Sequence, residues 1–248
     1  MSYLAQVTSS TVPTGFRAIL AGNEKIGKTT LACSAPRPLL IPLEMGYGGV
    51  NVNKTPMMTT LYDVMQFLEE VHSTVHAGLF PYQTLVFDSG TALERLIHEA
   101  TIAGDKAAKS DTTMESALGG YGKAYTFANS LFDQFLKKLD ILCSNYAINI
   151  IITCHVFAAK MVDPTSGEYD TWDLLLHSPK NQKTYGKREM ITQWADLVGF
   201  IHEPTPNYIA GNRYGLNGTI TIPELNGWNA IAEAIHTSKG LDFFNKDI

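Results

Sequence analysis

The sequence predicts an α/β fold in which a mostly parallel sheet has helices on both faces. Its clearest strand candidate is the apolar, β-branched run INIIITC at 148–154. Continuous runs of this kind are typical of strands buried on both faces of a parallel sheet. Longer segments with apolar residues at helical spacing separate the strand candidates. Strands that alternate with helices indicate a parallel sheet covered by helices.

The remaining strands are predicted from shorter apolar runs. The run FRAILA at 16–21 begins the fold, LLIPL at 39–43 follows with Pro42 near its end, and TLVF at 84–87 ends at Asp88. Two further short strands are predicted at 197–201 and 219–222.

The helices are predicted from periodicity. A helix of small residues follows a glycine-rich turn and ends near residue 35, and three more helices occupy 61–77, 91–102 and 228–236. A long amphipathic helix is predicted at 121–146. Its inward face is expected to carry Phe127, Leu131, Phe135, Leu139 and Leu142.

Composition bounds the organisation of the chain. Residues 156–190 lack clear periodicity, and no composition shift marks a linker. We therefore expect a single domain at 15–236, after a flexible lead-in at 1–14 and before a tail at 237–248.

The composition also excludes several classes of protein. Hydrophobic residues make up 45% of the 248 residues, which excludes disorder by composition. The net charge of −5 excludes a globally basic nucleic-acid binder but allows local basic loops. Three cysteines without a close pair predict neither a disulfide framework nor a metal knuckle. We expect reduced thiols, a cytoplasmic protein and no membrane-spanning segment.

The strongest motif lies between the first strand and the first helix. It fits G-x-x-x-x-G-K-[ST], the phosphate-binding loop, in the required context. Its backbone N–H groups form an anion nest at a helix N-terminus, Lys28 reaches the β- and γ-phosphates, and Thr29 offers a hydroxyl to Mg²⁺. Lys25 either leans over the phosphates or is solvated. The sequence therefore predicts ATP and Mg²⁺ as cofactors, bound by Gly22, Asn23, Glu24, Lys25, Ile26, Gly27, Lys28, Thr29 and Thr30.

Three further residues at strand ends are candidate catalytic groups. Asp88 ends an apolar strand and is a candidate Walker B carboxylate that binds Mg²⁺ together with Thr29. Glu44 ends the strand after the phosphate loop and is a candidate for orienting the attacking water, although an ordinary loop glutamate is the alternative. His155 follows the buried strand and is interpreted as a γ-phosphate sensor, with a satisfied edge histidine as the alternative.

The order of these elements resembles the RecA-type recombinase core. It is more closely similar to small phage RecA-like ATPases associated with single-strand annealing, over about residues 15–222. The shared segments are GNEKIGKTTLA, PRPLLIPLEMG, ITCH and a late K-x-R-Y-G-L segment, here AGNRYGL at 210–216. The resemblance implies that Arg213 reaches the γ-phosphate of a neighbouring subunit as a catalytic arginine. Gly211 stands where the family carries a lysine.

The resemblance also implies two candidate DNA loops, at 104–125 and 156–190. Lysines and aromatic rings suit single strands, because cations follow phosphates and rings stack on bases. The second segment also carries four acids, so an ordinary surface loop is the alternative reading for it. The candidate nucleic-acid contacts are Lys106, Lys109, Lys123, Lys160, Lys180, Lys183, Lys187 and Arg188.

The sequence leaves three functions open. The first is an ATPase that acts on single-stranded DNA in recombination, annealing or repair, as a homo-oligomer and with a single-strand-binding or recombination protein as partner. The second is a nucleotide-gated assembly protein with weak or no DNA-stimulated hydrolysis, which the glycine at position 211 motivates. A metabolic P-loop kinase ranks last, because the chain lacks the clustered arginines of a kinase lid.

Overall fold

A computed structural model describes residues 14–47, 49–164, 167–179, 186–201, 207–212 and 218–220. Its strands are β1 (Arg17–Gly22), β2 (Pro38–Pro42), β3 (Asn53–Lys54), β4 (Thr84–Asp88), β5 (Asn149–Cys154), β6 (Val156–Asp163), β7 (Gly167–Leu174), β8 (Leu197–Ile201), β9 (Asn207–Asn212) and β10 (Gly218–Ile220). Its helices are α1 (Lys28–Ala32), α2 (Leu61–His76), α3 (Gly90–Ala103), α4 (Lys123–Tyr146) and α5 (Lys187–Trp194), with a short 3₁₀ turn at Ala117–Gly119.

Within the described residues, eight strands form one sheet in the order β10-β9-β8-β1-β5-β4-β2-β3. The six strands from β8 to β3 are parallel to their neighbours, and β9 and β10 continue the sheet antiparallel. The predicted α/β class with a mostly parallel sheet is confirmed. The carboxyl ends of the parallel strands meet at one edge, where ligands bind in open α/β sheets.

The core has two layers, one on each face of the sheet. Ala18, Leu20 and Ile151 face the layer that α1 covers, whereas Ile19 and the residues beside Ile151 face the layer that α2 to α5 cover. This alternation follows from the two-residue period of a strand. Helices therefore lie on both faces, as the apolar runs predict.

Helix caps fix the start of the helices near the sheet edge. Thr60 accepts a hydrogen bond from the Asp63 N–H at 3.1 Å, while Asp63 accepts one from the Thr60 N–H at 3.2 Å, which is a capping box at the start of α2. Ser89 caps α3 by accepting from the Ala92 N–H at 3.2 Å. This cap begins α3 directly after the last residue of β4.

The long helix differs from its prediction in its start and in one residue of its inward face. Helix α4 begins at Lys123 rather than 121, because Tyr121 and Gly122 have left-handed backbones with φ of 54° and 76°. Phe127 is not an inward residue: 46% of it is exposed. The buried face instead carries Ala124, Ala128, Phe132, Phe135, Leu136, Leu139, Leu142 and Cys143. Phe135, Leu139 and Leu142 of the predicted face are nevertheless buried, and Leu131 packs against the core. Small residues at the first inward positions explain why the aromatic pattern included Phe127.

The segment at 156–190, for which no periodicity predicted structure, contains a hairpin and the start of a helix. Strands β6 and β7 pair in a continuous antiparallel ladder from Val156 opposite Leu174 to Asp163 opposite Gly167. Both faces of this hairpin carry exposed residues, so its sequence lacks the alternation of a half-buried strand. Strand β9 was not predicted either, and the closing helix expected at 228–236 lies outside the described residues.

No helix in the described ranges combines the length and apolar character that a membrane span requires.

Candidate nucleotide site

The phosphate loop connects β1 to α1, and two glycines shape it for different reasons. A Cβ on Gly22 would lie 2.7 Å from the Ile201 carbonyl oxygen of β8, so the close approach of the neighbouring strand requires glycine there. Gly27 has a left-handed φ of 97°, and a Cβ there would meet nothing within 4 Å. Left-handed backbone favours glycine, and the open space beside it is a cradle of the kind that phosphates occupy.

Lys28 lies in the mouth of this loop. Its ammonium is buried and donates to the Gly22 and Asn23 carbonyl oxygens at 3.0 and 2.7 Å. Burial lowers the pKa of Lys28, and the nearby Asp88 and Glu44 carboxylates oppose that effect. A buried cation held only by carbonyl oxygens is suited to exchange them for phosphate oxygens.

The other residues expected to bind nucleotide surround this mouth. Asn23, Glu24, Lys25 and Thr30 are exposed, and Ile26 is half-buried. None of them makes a side-chain contact here that assigns it a role.

Asp88 ends β4 with hydroxyl donors on both of its carboxylate oxygens. Thr29 Oγ1 donates to Oδ2 at 2.7 Å, and Thr153 Oγ1 donates to Oδ1 at 2.5 Å. The Thr29 and Asp88 oxygens together match the hard ligands of Mg²⁺, which usually binds one or two protein oxygens plus substrate phosphates and water. Among the described residues, no cluster of three or more His, Cys, Asp and Glu could hold a metal by itself. The donor set therefore fits a metal that arrives with a nucleotide.

Glu44 and His155 contact each other beyond the carboxyl ends of β2 and β5. Glu44 Oε1 and His155 Nε2 are 2.8 Å apart. A carboxylate is an acceptor, so this hydrogen bond places the proton on Nε2. The backbone N–H of His155 donates to Thr91 Oγ1 on α3 at 3.1 Å. His155 Nδ1 is buried and has no hydrogen-bond partner in the part of the chain that the structure describes.

The pKa of Glu44 reflects two opposing effects. Burial raises the pKa of Glu44. The opposing effect is larger: hydrogen bonds with His155 and Ser89, together with the positive charge of Arg95, lower the pKa to below the ordinary glutamate value. Glu44 is therefore a carboxylate at neutral pH, as a water-orienting group must be.

Three site residues were missed at the sequence level: Ser89, Thr91 and Thr153. Thr153 pairs with Asp88 in the β4–β5 register. Its signal was a hydroxyl within the otherwise apolar run INIIITC. Ser89 and Thr91 stand at the start of α3, where a hydroxyl is expected as a helix cap, so their contacts with Glu44 and His155 had no separate signal.

The candidate nucleic-acid residues fall into four groups. Lys106, Lys109, Lys123 and Lys160 are exposed. Arg188 binds Asp173 at 2.5 Å and Glu189 at 3.2 Å, so its charge is already paired. Lys180 and Lys183 lie outside the described residues, as does the candidate catalytic residue Arg213.

Lys187 is a correction to the sequence prediction. Its side chain is completely buried, 3.2 Å from Glu94 Oε1 and 3.0 Å from His98 Nε2. A lysine without solvent exposure cannot reach a phosphate backbone. Lys187 instead ties the start of α5 to α3.

Residues 14–218 match a family model described as an AAA domain. The crystal structure of the RadB recombinase is similar with a TM-score of 0.48 and 13% sequence identity, over 90% of this chain and 94% of that chain. No curated protein matches the chain. The family match spans the phosphate loop and every side chain of the site described above.

Proposed function

Because the chain belongs to the AAA domain family, we propose that it binds Mg²⁺–ATP, hydrolyses it and acts as a homo-oligomer on single-stranded DNA in recombination, annealing or repair. The observation that carries the ATPase part is the convergence of Lys28, Thr29, Asp88, Glu44 and His155 at one edge of the sheet. A bound Mg²⁺ neutralises phosphate charge and orients the phosphates.

The side chains have separate tasks in this proposal. Lys28 exchanges the Gly22 and Asn23 carbonyls for phosphate oxygens, and Asp88 and Thr29 provide the oxygen ligands. Glu44 orients the attacking water, and Ser89 and His155 hold its carboxylate in the ionised form. Arg213 acting on a neighbouring subunit stays a prediction of the family resemblance.

The DNA part of the proposal is supported by the RecA-type order of motifs and by exposed lysines. Lys106, Lys109, Lys123 and Lys160 are available to phosphates. A partner from the single-strand-binding or recombination proteins, a cytoplasmic location and a phage source stay predictions.

One measurement tests the proposal directly. ATP turnover with Mg²⁺ is measured with and without oligo(dT), for the wild type, Lys28→Ala, Glu44→Gln and the surface control Lys137→Ala. We expect Lys28→Ala to abolish turnover and Glu44→Gln to lower it about 10²–10⁴-fold with ATP binding retained. Lys137 is exposed on α4 and pairs with Asp133 on the same helix, so its variant should match the wild type. Undiminished turnover in Lys28→Ala would refute the ATPase proposal.

A nucleotide-gated assembly protein is the second candidate, and the contact between Glu44 and His155 favours it. His155 occupies one oxygen of the Glu44 carboxylate, which leaves fewer acceptor positions for an attacking water. In this case ATP drives oligomerisation, while turnover stays slow and oligo(dT) does not change it. DNA-stimulated turnover of several ATP per minute would exclude this second candidate.

A further inference from the structure

The backbone of His155 is held on both sides of the residue. Its N–H donates to Thr91 Oγ1 on α3 at 3.1 Å, and its carbonyl oxygen accepts from the Leu175 N–H at 2.8 Å. Leu175 directly follows β7, so this second hydrogen bond joins the two ends of the β6–β7 hairpin. The side chain that contacts Glu44 therefore takes its position from α3 and from the far end of the hairpin.

The far end of the hairpin is tied to α3 two residues later. The backbone N–H of His177 donates to both Glu94 carboxylate oxygens, at 2.9 and 3.1 Å. The His177 ring also stacks on Tyr125 of α4, with centroids 4.0 Å apart. Thr91 and Glu94 are three residues apart and lie on the same face of α3. One helix face thus holds both the beginning and the end of the segment at 155–177.

A buried ion pair fixes the Glu94 carboxylate. The Lys187 side chain has no solvent exposure, and its ammonium lies 3.2 Å from Glu94 Oε1 and 3.0 Å from His98 Nε2. An ammonium only donates, so His98 accepts through Nε2. Buried ion pairs often stabilise a fold no more than apolar side chains of the same volume. Stability alone therefore does not account for this pair, whereas a fixed orientation of Glu94 does.

The first turn of α3 lies directly against the end of β5. A Cβ on Gly90 would lie 2.9 Å from both Cys154 Sγ and Ile152 Cγ2. Ser89, the cap of the same turn, forms a hydrogen bond with the Glu44 side chain. Helix α3 is therefore a fixed reference for both members of the contact between the glutamate and the histidine.

We propose that Glu94 is a positioning residue of the nucleotide site. It holds the His177 N–H and so fixes Leu175 and the carbonyl side of His155, while Thr91 fixes the N–H side. Without this acceptor the end of the hairpin shifts, and the histidine no longer keeps the water-orienting carboxylate in place. This inference rests on the proposed ATP hydrolysis and adds to it a residue that acts through His155 rather than on the nucleotide.

Two double variants that differ in the acceptor offered to the His177 N–H test this role. Glu94→Gln/Lys187→Met and Glu94→Met/Lys187→Met both remove the buried ion pair. Glutamine keeps a carbonyl oxygen, whereas methionine offers only a weakly accepting sulfur. The kcat and the KM for ATP are measured with Mg²⁺ on the full chain. Turnover is divided by the number of sites that bind a fluorescent ATP analogue, so that only folded protein is counted.

We expect the glutamine variant to keep a kcat near that of the wild type and the methionine variant to lower it about 10–100-fold. A misplacement of about 1 Å caused far from the chemistry can cost this much. The KM should not change, because loss of an interaction made only in the transition state lowers kcat and kcat/KM equally. A merely structural role would reduce the number of binding sites or the Tm and leave kcat per site unchanged.

Thr91→Val is a second test that leaves the buried ion pair intact. It removes the acceptor of the His155 N–H and should also lower kcat per site at constant KM. Glu99→Met changes an exposed acid on the same helix and should match the wild type. Thermal melts check folding, and Thr91→Val decides alone if the methionine double variant does not fold.

Two results would overturn this inference and leave the ATPase proposal standing. One is an equal kcat per site for the glutamine and methionine double variants, and the other is a wild-type kcat for Thr91→Val. A wild type without ATP turnover overturns the proposed hydrolysis, and the role of Glu94 falls with it.

Discussion

At the scale of single residues, the hydroxyl of Thr153 decides how Asp88 is presented. It donates to Oδ1, which leaves Oδ2 to Thr29 and to any metal beside it. Groups that orient a metal ligand matter nearly as much as the ligand itself. Thr153 is therefore a positioning residue.

Replacement of this hydroxyl should weaken the use of Mg²⁺. We expect Thr153→Val to raise the Mg²⁺ concentration for half-maximal ATP turnover about 10–100-fold, because Asp88 loses the donor that fixes its orientation. Thr153→Ser keeps the donor and should stay near the wild type. Equal Mg²⁺ requirements for the valine and serine variants would contradict the role of the hydroxyl.

Glu44 gives a prediction about pH. Its folded pKa lies below that of the unfolded chain, so its carboxylate contributes stability above the unfolded pKa, near 4.5, and loses it as the pH falls through the folded pKa. Glu44→Gln should therefore destabilise the protein at pH 7. The difference from the wild type should shrink below pH 4.5. Urea unfolding at several pH values measures this difference, and one that is constant with pH would contradict the lowered pKa.

At the scale of elements, α4 shows how an amphipathic pattern can assign one residue to the wrong face. Phe132 and Phe135 are fully buried, and Phe135 packs edge-on against Phe87 of β4 with ring centroids 5.3 Å apart. Phe127, one turn from the start of the helix, remains largely exposed. The pattern at 127, 131, 135 and 139 repeats every four residues and drifts around a helix of 3.6 residues per turn.

Paired truncations test this assignment. Phe132→Ala removes a fully buried ring and should destabilise the protein by about 3–5 kcal/mol. Phe127→Ala has the same chemistry at a half-exposed position and should cost about 1 kcal/mol or less. The free energy of unfolding in urea measures both, and similar losses for the two variants would refute the assigned face.

Helix α3 links the nucleotide site to more distant segments. The helix starts at the Ser89 cap beside Asp88. Glu94 lies about one turn after its first residue, Gly90. Both Glu94 carboxylate oxygens accept from the backbone N–H of His177, at 2.9 and 3.1 Å. Oε1 of Glu94 also forms an ion pair with the buried Lys187. One short helix thus contacts the phosphate side of the sheet, the end of the hairpin segment and the start of α5.

At the scale of the whole molecule, ligand binding should be visible as stability. A nucleotide that binds only the folded chain stabilises it by about 2.7 kcal/mol at one hundred times its Kd. For a domain of this size that corresponds to a rise in Tm of roughly 5–11 °C. We expect this rise with Mg²⁺–ATP, and a much smaller one for Lys28→Ala. A differential scanning measurement in which both proteins respond equally would place the bound nucleotide elsewhere.

The sequence by itself determined the α/β class, the phosphate loop and the strand ends that carry Glu44, Asp88 and His155. These features are local, because a buried strand, a glycine turn and a residue at a strand end all have signals within a few positions. Tertiary structure alone decided which of these residues touch, because Glu44 and His155 are 111 positions apart and meet through the strand order. It also decided that Lys187 is buried and that 156–174 is a hairpin. Burial of a charge depends on a partner such as Glu94, 93 residues away, and an exposed ribbon has no apolar period to reveal it.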